Sequence, residues 1–163
     1  MNTAQILSIL TRYVPHCYKV GVYPKDKIPS TLPKRSCIVI NTDPSDRPGE
    51  HWLALFVLDH LEFFDSYAFP PSFYGLKFAS AIPALTHSAQ SLQGDTCGEH
   101  CVLFLVRRSH GFSLSRIRSS YSNDLVANDR SVRARVSKMS RNLVPVPLCT
   151  NQCCCKRACV CNK

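Results

Sequence analysis

The segment Leu92-Gln93-Gly94-Asp95-Thr96-Cys97-Gly98-Glu99-His100-Cys101 runs into the apolar stretch Val102-Leu103-Phe104-Leu105-Val106, and together they require a buried helix. A Gln-Gly turn precedes it. Thr96 and Glu99 stand at the N-cap and third-residue spacing of a reciprocal capping box. Gly111 marks the helix end. Cys97 then falls in the first turn, where unpaired backbone N–H groups and the helix dipole stabilise a thiolate. A lone helical cysteine is more often simply buried. Its meaning therefore depends on whether the chain also supplies a base, an orienting group and an oxyanion donor.

The base and its partner are legible in a hairpin. His51-Trp52 follows a turn-rich loop, Asn41 to Gly49, and leads into Leu53-Ala54-Leu55-Phe56-Val57-Leu58. Asp59-His60 and then Leu61-Glu62-Phe63-Phe64-Asp65-Ser66-Tyr67 complete two antiparallel strands, apolar on both faces and so central in a sheet. With Leu58 to His60 as a three-residue loop, Asp65 lies opposite Leu53, on the face of His51 and diagonal to it. A two-residue loop puts the two on opposite faces, because side chains alternate. In the first register Asp65 can fix the tautomer of His51 and stabilise its charged form. Against this stand the plainer readings of a strand-end histidine and a turn aspartate.

The order His51, Asp65, Gln93, Cys97 resembles the adenovirus-type cysteine proteases (adenain) and their relatives in DNA viruses and large DNA transposons. The resemblance rests on Cys37-Ile38-Val39-Ile40-Asn41-Thr42, His51-Trp52, Phe64-Asp65-Ser66-Tyr67, Leu92-Gln93-Gly94 and Cys97-Gly98-Glu99-His100-Cys101. It implies His51 as general base, Asp65 as its orienter, Gln93 as oxyanion donor and Cys97 as nucleophile. Trp52 would cover the His51 pair from solvent, and Trp52 and Gly94 are the candidate substrate-binding residues. Asp65 stands where adenoviral enzymes often carry Glu, and either carboxylate serves. The four-residue spacing from Gln93 to Cys97 is shorter than the family's, so Gln90, seven residues upstream of Cys97, is the alternative donor.

What the resemblance implies is a cysteine endopeptidase that cuts viral or transposon structural precursors at small-residue, Gly-containing sites. Its location would be intracellular, in the host nucleus or the virion. Two alternatives remain: a protease that removes ubiquitin-like modifiers, and a basic DNA-binding packaging protein with a vestigial protease site.

With 163 residues, 45% of them hydrophobic, the chain suits one soluble domain and one core. No apolar stretch reaches the roughly 20 residues of a membrane span. Residues 1–16 lack the basic start and unbroken apolar run of a signal peptide. Helices are expected at Thr3–Tyr13, Pro70–Ile82, Cys97 to about Gly111, Leu114–Ser122 and Asp129–Arg141, the last capped by Asp129. Strands are expected at Tyr18–Tyr23 and Cys37–Asn41 beside the hairpin. The fold class is α+β: a small mixed sheet with helices on both faces, adenain-like by resemblance, over 1–145.

Six of the ten cysteines, Cys149, Cys153, Cys154, Cys155, Cys159 and Cys161, crowd a basic tail at 146–163. Their spacings are not a zinc finger's, and no His is near, so neither zinc nor any obligatory cofactor is expected. The scattered remainder fits a thiolate enzyme in a reducing compartment.

A net charge of +9 is concentrated after Phe104. On the last helix Arg133, Arg135, Lys138 and Arg141 oppose the apolar stripe, as a solvated face or as a sequence-independent phosphate-binding surface. The resemblance implies DNA as a cofactor and guide, precursor proteins as substrates and an activating peptide as a further partner. The chain itself is expected to be a monomer.

Overall fold

A computed structural model describes residues 1–78 and 80–142. The hairpin is at its centre. Strands β3 (Trp52–Val57) and β4 (Leu61–Phe64) pair antiparallel with Val57 opposite Leu61, so the loop holds three residues, and Leu58 N–H donates to His60 C=O at 3.2 Å. Ala54 faces Phe64 in that register, which carries Asp65 to the level of Leu53. β2 (Ser36–Asn41) pairs antiparallel on the other side of β3. β1 (Lys19–Pro24) and the two-residue β5 (Ile82–Pro83) add parallel edges, giving the order β1-β2-β3-β4-β5.

The side chains of β2, β3 and β4 alternate between two separate cores. Val39, Ala54, Phe56 and Phe64 point to one face and pack against α1 (Thr3–Tyr13), α2 (Cys97–Ser109), α3 (Leu114–Arg118) and α4 (Leu125–Arg141) through Ile6, Phe104, Ile117 and Val132 among others. Ile38, Ile40, Leu53, Leu55 and Phe63 point to the other face, which is closed by Leu76 and by Tyr23, Ile28, Leu32 and Tyr74. The α+β class with a mixed sheet holds. The helices, however, all lie on one face rather than two.

The difference arises at Pro70–Ile82. Among the described residues of that segment the helical part is a single 3₁₀ turn, Pro71–Tyr74, stopped by Gly75 at φ +70°, and Phe73 is 64% exposed. Two other helices also depart from expectation. α3 ends at Arg118, and α4 starts four residues earlier than Asp129, capped by Asp124, whose side chain accepts from Ala127 N–H at 2.9 Å. α2 ends at Ser109 with Gly111 at φ +83°, in keeping with its stop signal. A reciprocal capping box sits on α1, between Asn2 and Gln5. Among the described residues no helix is long and apolar enough to cross a membrane. The expected domain end at 145 and the cysteine cluster of the tail lie outside the described residues.

One buried ion pair locks the helix bearing Cys97 to the strand that leads to Asp65. Arg108 donates from Nε and Nη2 to the two oxygens of Glu62 at 2.6 Å each, donates from Nη1 to Phe112 C=O, and lies 4.8 Å over the Phe56 ring. Both side chains are nearly buried. Removing one partner strands the other charge, so Arg108→Ala is expected to cost about 3–5 kcal/mol. The check is urea unfolding with an unchanged m-value; a loss below about 1 kcal/mol would show that the pair does not brace the fold.

Candidate active site

Asp65 is the best-anchored side chain at the end of the sheet. It is 2% exposed and accepts four hydrogen bonds. Oδ1 takes His51 Nε2–H at 2.7 Å and Tyr67 N–H at 3.1 Å; Oδ2 takes Phe69 N–H at 2.9 Å and Tyr74 Oη–H at 2.8 Å. Burial and the neighbouring Asp65 carboxylate push the Tyr74 phenol well up, so it stays a donor. Tyr74 was not foreseen, because its segment reads as a helix in sequence.

With Nε2 committed to Asp65, Nδ1 is the His51 nitrogen left for a second partner. Cys97 is the second group acting on the ring: its sulfur, like Asp65, favours the imidazolium. Burial pulls the imidazole down, but the hydrogen bonds and negative charge of Asp65 and Cys97 outweigh it and hold His51 at about 9. Tyr67 and Tyr74 stack on the imidazole, with centroids at 4.9 and 5.8 Å. These are the rings that cover it. Trp52 instead faces α2: its indole N–H donates to Met1 C=O at 3.1 Å, and a Cβ on Gly98 would come within 3.2 Å of its Cδ1. Trp52 also lines a cleft of about 360 Å³ with Asn41, Arg47, Gly49 and Tyr23.

The two glutamines are placed differently. Gly94 N–H closes a turn onto Ser91 C=O at 3.0 Å, and the corner residues Leu92 and Gln93 are exposed, Leu92 by 85%. Among the described residues no hydrogen bond holds the Gln93 side chain. Gln90 is 1% exposed, accepts from Ser66 Oγ–H at 2.7 Å and donates from Nε2 to Gly94 C=O at 2.7 Å. The shortness of the loop, already visible in the spacing, turns Gln93 outward. The amide held beneath the Cys97 loop is therefore Gln90.

The capping box expected at α2 does not form. Thr96 is the N-cap residue, but its hydroxyl donates to Asp129 Oδ1 at 2.7 Å, and Glu99 Oε2 is buried without a hydrogen-bond partner. Gly94 contacts the same carboxylate, where a Cβ would lie 2.5 Å from Asp129 Oδ2, and such close packing favours a glycine.

Of the four α4 residues expected to form a basic face, Arg133 is tied to Asp95 by a salt bridge, while Arg135, Lys138 and Arg141 stand exposed. Arg108 and Arg118, from the same basic stretch of sequence, are structural: Arg118 donates to Ala84 and Pro83 carbonyls at 2.9 and 2.7 Å. Among the described residues no group of three or more His, Cys, Asp or Glu is arranged to hold a metal ion.

An imidazole hydrogen-bonded to a carboxylate thus feels a neighbouring thiol, whose sulfur stands at a helix N-terminus. Such an arrangement can deliver a thiolate paired with an imidazolium and return a proton to a leaving group. No protein-family model matches the chain, and no curated protein matches it.

Proposed function

We propose that this chain is a cysteine endopeptidase of the adenain type, and that it processes structural precursor proteins of a virus or transposon at small-residue sites. One observation carries the reading: His51 is hydrogen-bonded to the buried Asp65 carboxylate, and the Cys97 sulfur acts on the same ring. In this reading Cys97 attacks the scissile carbonyl as the thiolate of an imidazolium–thiolate pair. The oxyanion is met by the Cys97 backbone N–H, unpaired at the start of α2, and by the Gln90 N–H that Gly94 leaves spare. His51 then protonates the leaving amine, and water hydrolyses the thioester. The cleft beside Trp52 is the candidate path for the substrate chain. The exposed Arg135, Lys138 and Arg141 supply the surface on which DNA would act as cofactor, in the host nucleus or the virion.

The test is incubation of the purified chain with candidate capsid precursors, with and without DNA, and mapping of the cut sites. Wild type is expected to cut at Gly-containing sites, and Cys97→Ala to fold with an unchanged melting temperature and cut nothing. Retained cleavage by Cys97→Ala refutes the nucleophile. Preference for modifier-linked reporters over precursors replaces this substrate class by that of the deconjugating proteases.

A further inference from the structure

A second buried histidine–aspartate pair lies one helical turn behind Cys97, and the proposed chemistry does not use it. His100 is wholly buried, with Nε2 at 3.0 Å from Asp129 Oδ1 and Nδ1 at 3.2 Å from the Tyr121 hydroxyl. Burial lowers the affinity of His100 for a second proton, so the ring is neutral, donating to Asp129 and accepting from Tyr121. Both of its ring nitrogens are taken by these protein partners. What matters is where the other partners of Asp129 sit. Ser91 donates to Oδ2 from its backbone N–H at 3.2 Å and from its hydroxyl at 2.7 Å, while Thr96 donates to Oδ1 at 2.7 Å.

Ser91 and Thr96 are the two ends of the loop that delivers Cys97. Between them Gly94 is pressed against the same carboxylate so closely that no Cβ fits, and its carbonyl accepts from Gln90. Both proposed oxyanion donors are thus set by this loop. Thr96 directly precedes the Cys97 N–H, and Gly94 orients the Gln90 amide. A carboxylate offers about four acceptor sites and no donor, which matches the four N–H and O–H groups converging here. An asparagine of the same size would turn an N–H₂ group towards donors.

We propose that Asp129, acting from α4 through Ser91, Thr96 and His100, is a positioning residue that holds the oxyanion-binding loop in its working shape. The inference rests on the peptidase reading. It separates two properties of the site: the loop governs stabilisation of charge on the substrate oxygen, whereas nucleophilicity of the sulfur depends on His51. Alkylation of Cys97 by iodoacetamide tells them apart, since the C–S bond forms as iodide leaves and no oxyanion develops.

The experiment compares wild type with Asp129→Asn, Thr96→Val and Thr96→Ser, measuring kcat, KM, melting temperature and the iodoacetamide rate. Thr96→Val is nearly isosteric and removes one donor; Thr96→Ser keeps it. Thr96→Val and Asp129→Asn are expected to lose about 10- to 100-fold in kcat, the range a displacement of about 1 Å produces. KM and the alkylation rate should stay within about twofold of wild type, and Thr96→Ser should cleave like wild type. Wild-type kcat in both Thr96→Val and Asp129→Asn overturns the role of Asp129 and leaves the peptidase reading standing. So does a kcat loss matched by equal falls in alkylation rate and melting temperature, because that is general loosening. Absence of Cys97-dependent cleavage in wild type defeats the peptidase reading and takes this inference with it.

Discussion

Asp65→Asn is expected to lower kcat/KM by about 10³- to 10⁴-fold and to move the alkaline limb of its pH profile downward from near pH 9. The first effect is of the size seen when the orienting carboxylate of a triad becomes an amide. In some thiol proteases an asparagine occupies this role, so the substitution could look mild. Here it cannot be, because each oxygen of Asp65 accepts two hydrogen bonds. Whichever way an amide is turned, its N–H₂ group faces either His51 and Tyr67 or Phe69 and Tyr74, all donors. The second effect follows from sign. His51 is raised from 6.5 to about 9, and the hydrogen bond to Asp65 heads the contributions that raise it against burial. The imidazolium needed to protonate the leaving group persists up to about pH 9 and is lost above it. Without the carboxylate, burial prevails and the proton leaves at lower pH. A pH–rate series from 6 to 10 on both proteins measures the shift; an unmoved limb would mean that Asp65 does not control His51.

Gln90→Ala is expected to cost about 10²- to 10³-fold in kcat, the range for one oxyanion donor, whereas Gln93→Ala should stay within about threefold of wild type. The difference between the two is preorganisation. Ser66 donates to Gln90 Oε1, which fixes the orientation of the amide, and Gly94 takes one of its two N–H groups. The second N–H is then held rather than searching. Gln93, at an exposed corner with nothing holding its side chain, would have to be immobilised at each turnover. Because Gln90 is also buried, Ser66→Ala serves as a companion. It removes the anchor while leaving the donor, and should lower kcat less than Gln90→Ala does. A wild-type kcat in Gln90→Ala with a large loss in Gln93→Ala would reverse the assignment.

The parts of this site that follow from local rules are legible in the sequence. The facing of His51 and Asp65 needs only the two-residue alternation of strands and a three-residue loop. The position of Cys97 at a helix start follows from the Gln-Gly turn and the apolar run behind it. The illegible parts depend on long-range competition for a hydrogen bond. Thr96 and Glu99 have the right spacing for a capping box, yet Asp129, 33 residues beyond Thr96, takes the threonine hydroxyl. Asp129 itself reads as a helix cap, because the apolar positions Val132 and Val136 follow it. Asp124 precedes the same periodic stripe, and local pattern cannot choose between the two. Tyr74 is hidden for a related reason: Pro71 opens a helix-like turn, but Gly75 in the left-handed region ends it at once and leaves the phenol facing Asp65. The choice between Gln90 and Gln93 turns on which way a short loop folds, and that is decided by Ser91 and Gly94 meeting a residue from another helix.

The most direct test of the central claim is the site-resolved alkylation of the chain by iodoacetamide at pH 7, read by peptide mass in wild type and in His51→Ala. Cys97 is only 9% exposed, whereas Cys17 lies at the surface. If the buried sulfur is an activated thiolate paired with His51, it reacts at least about tenfold faster than Cys17 despite its burial, and His51→Ala brings it down to or below the Cys17 rate. Labelling of Cys97 that is slower than that of Cys17 in wild type, or unchanged in His51→Ala, contradicts the account.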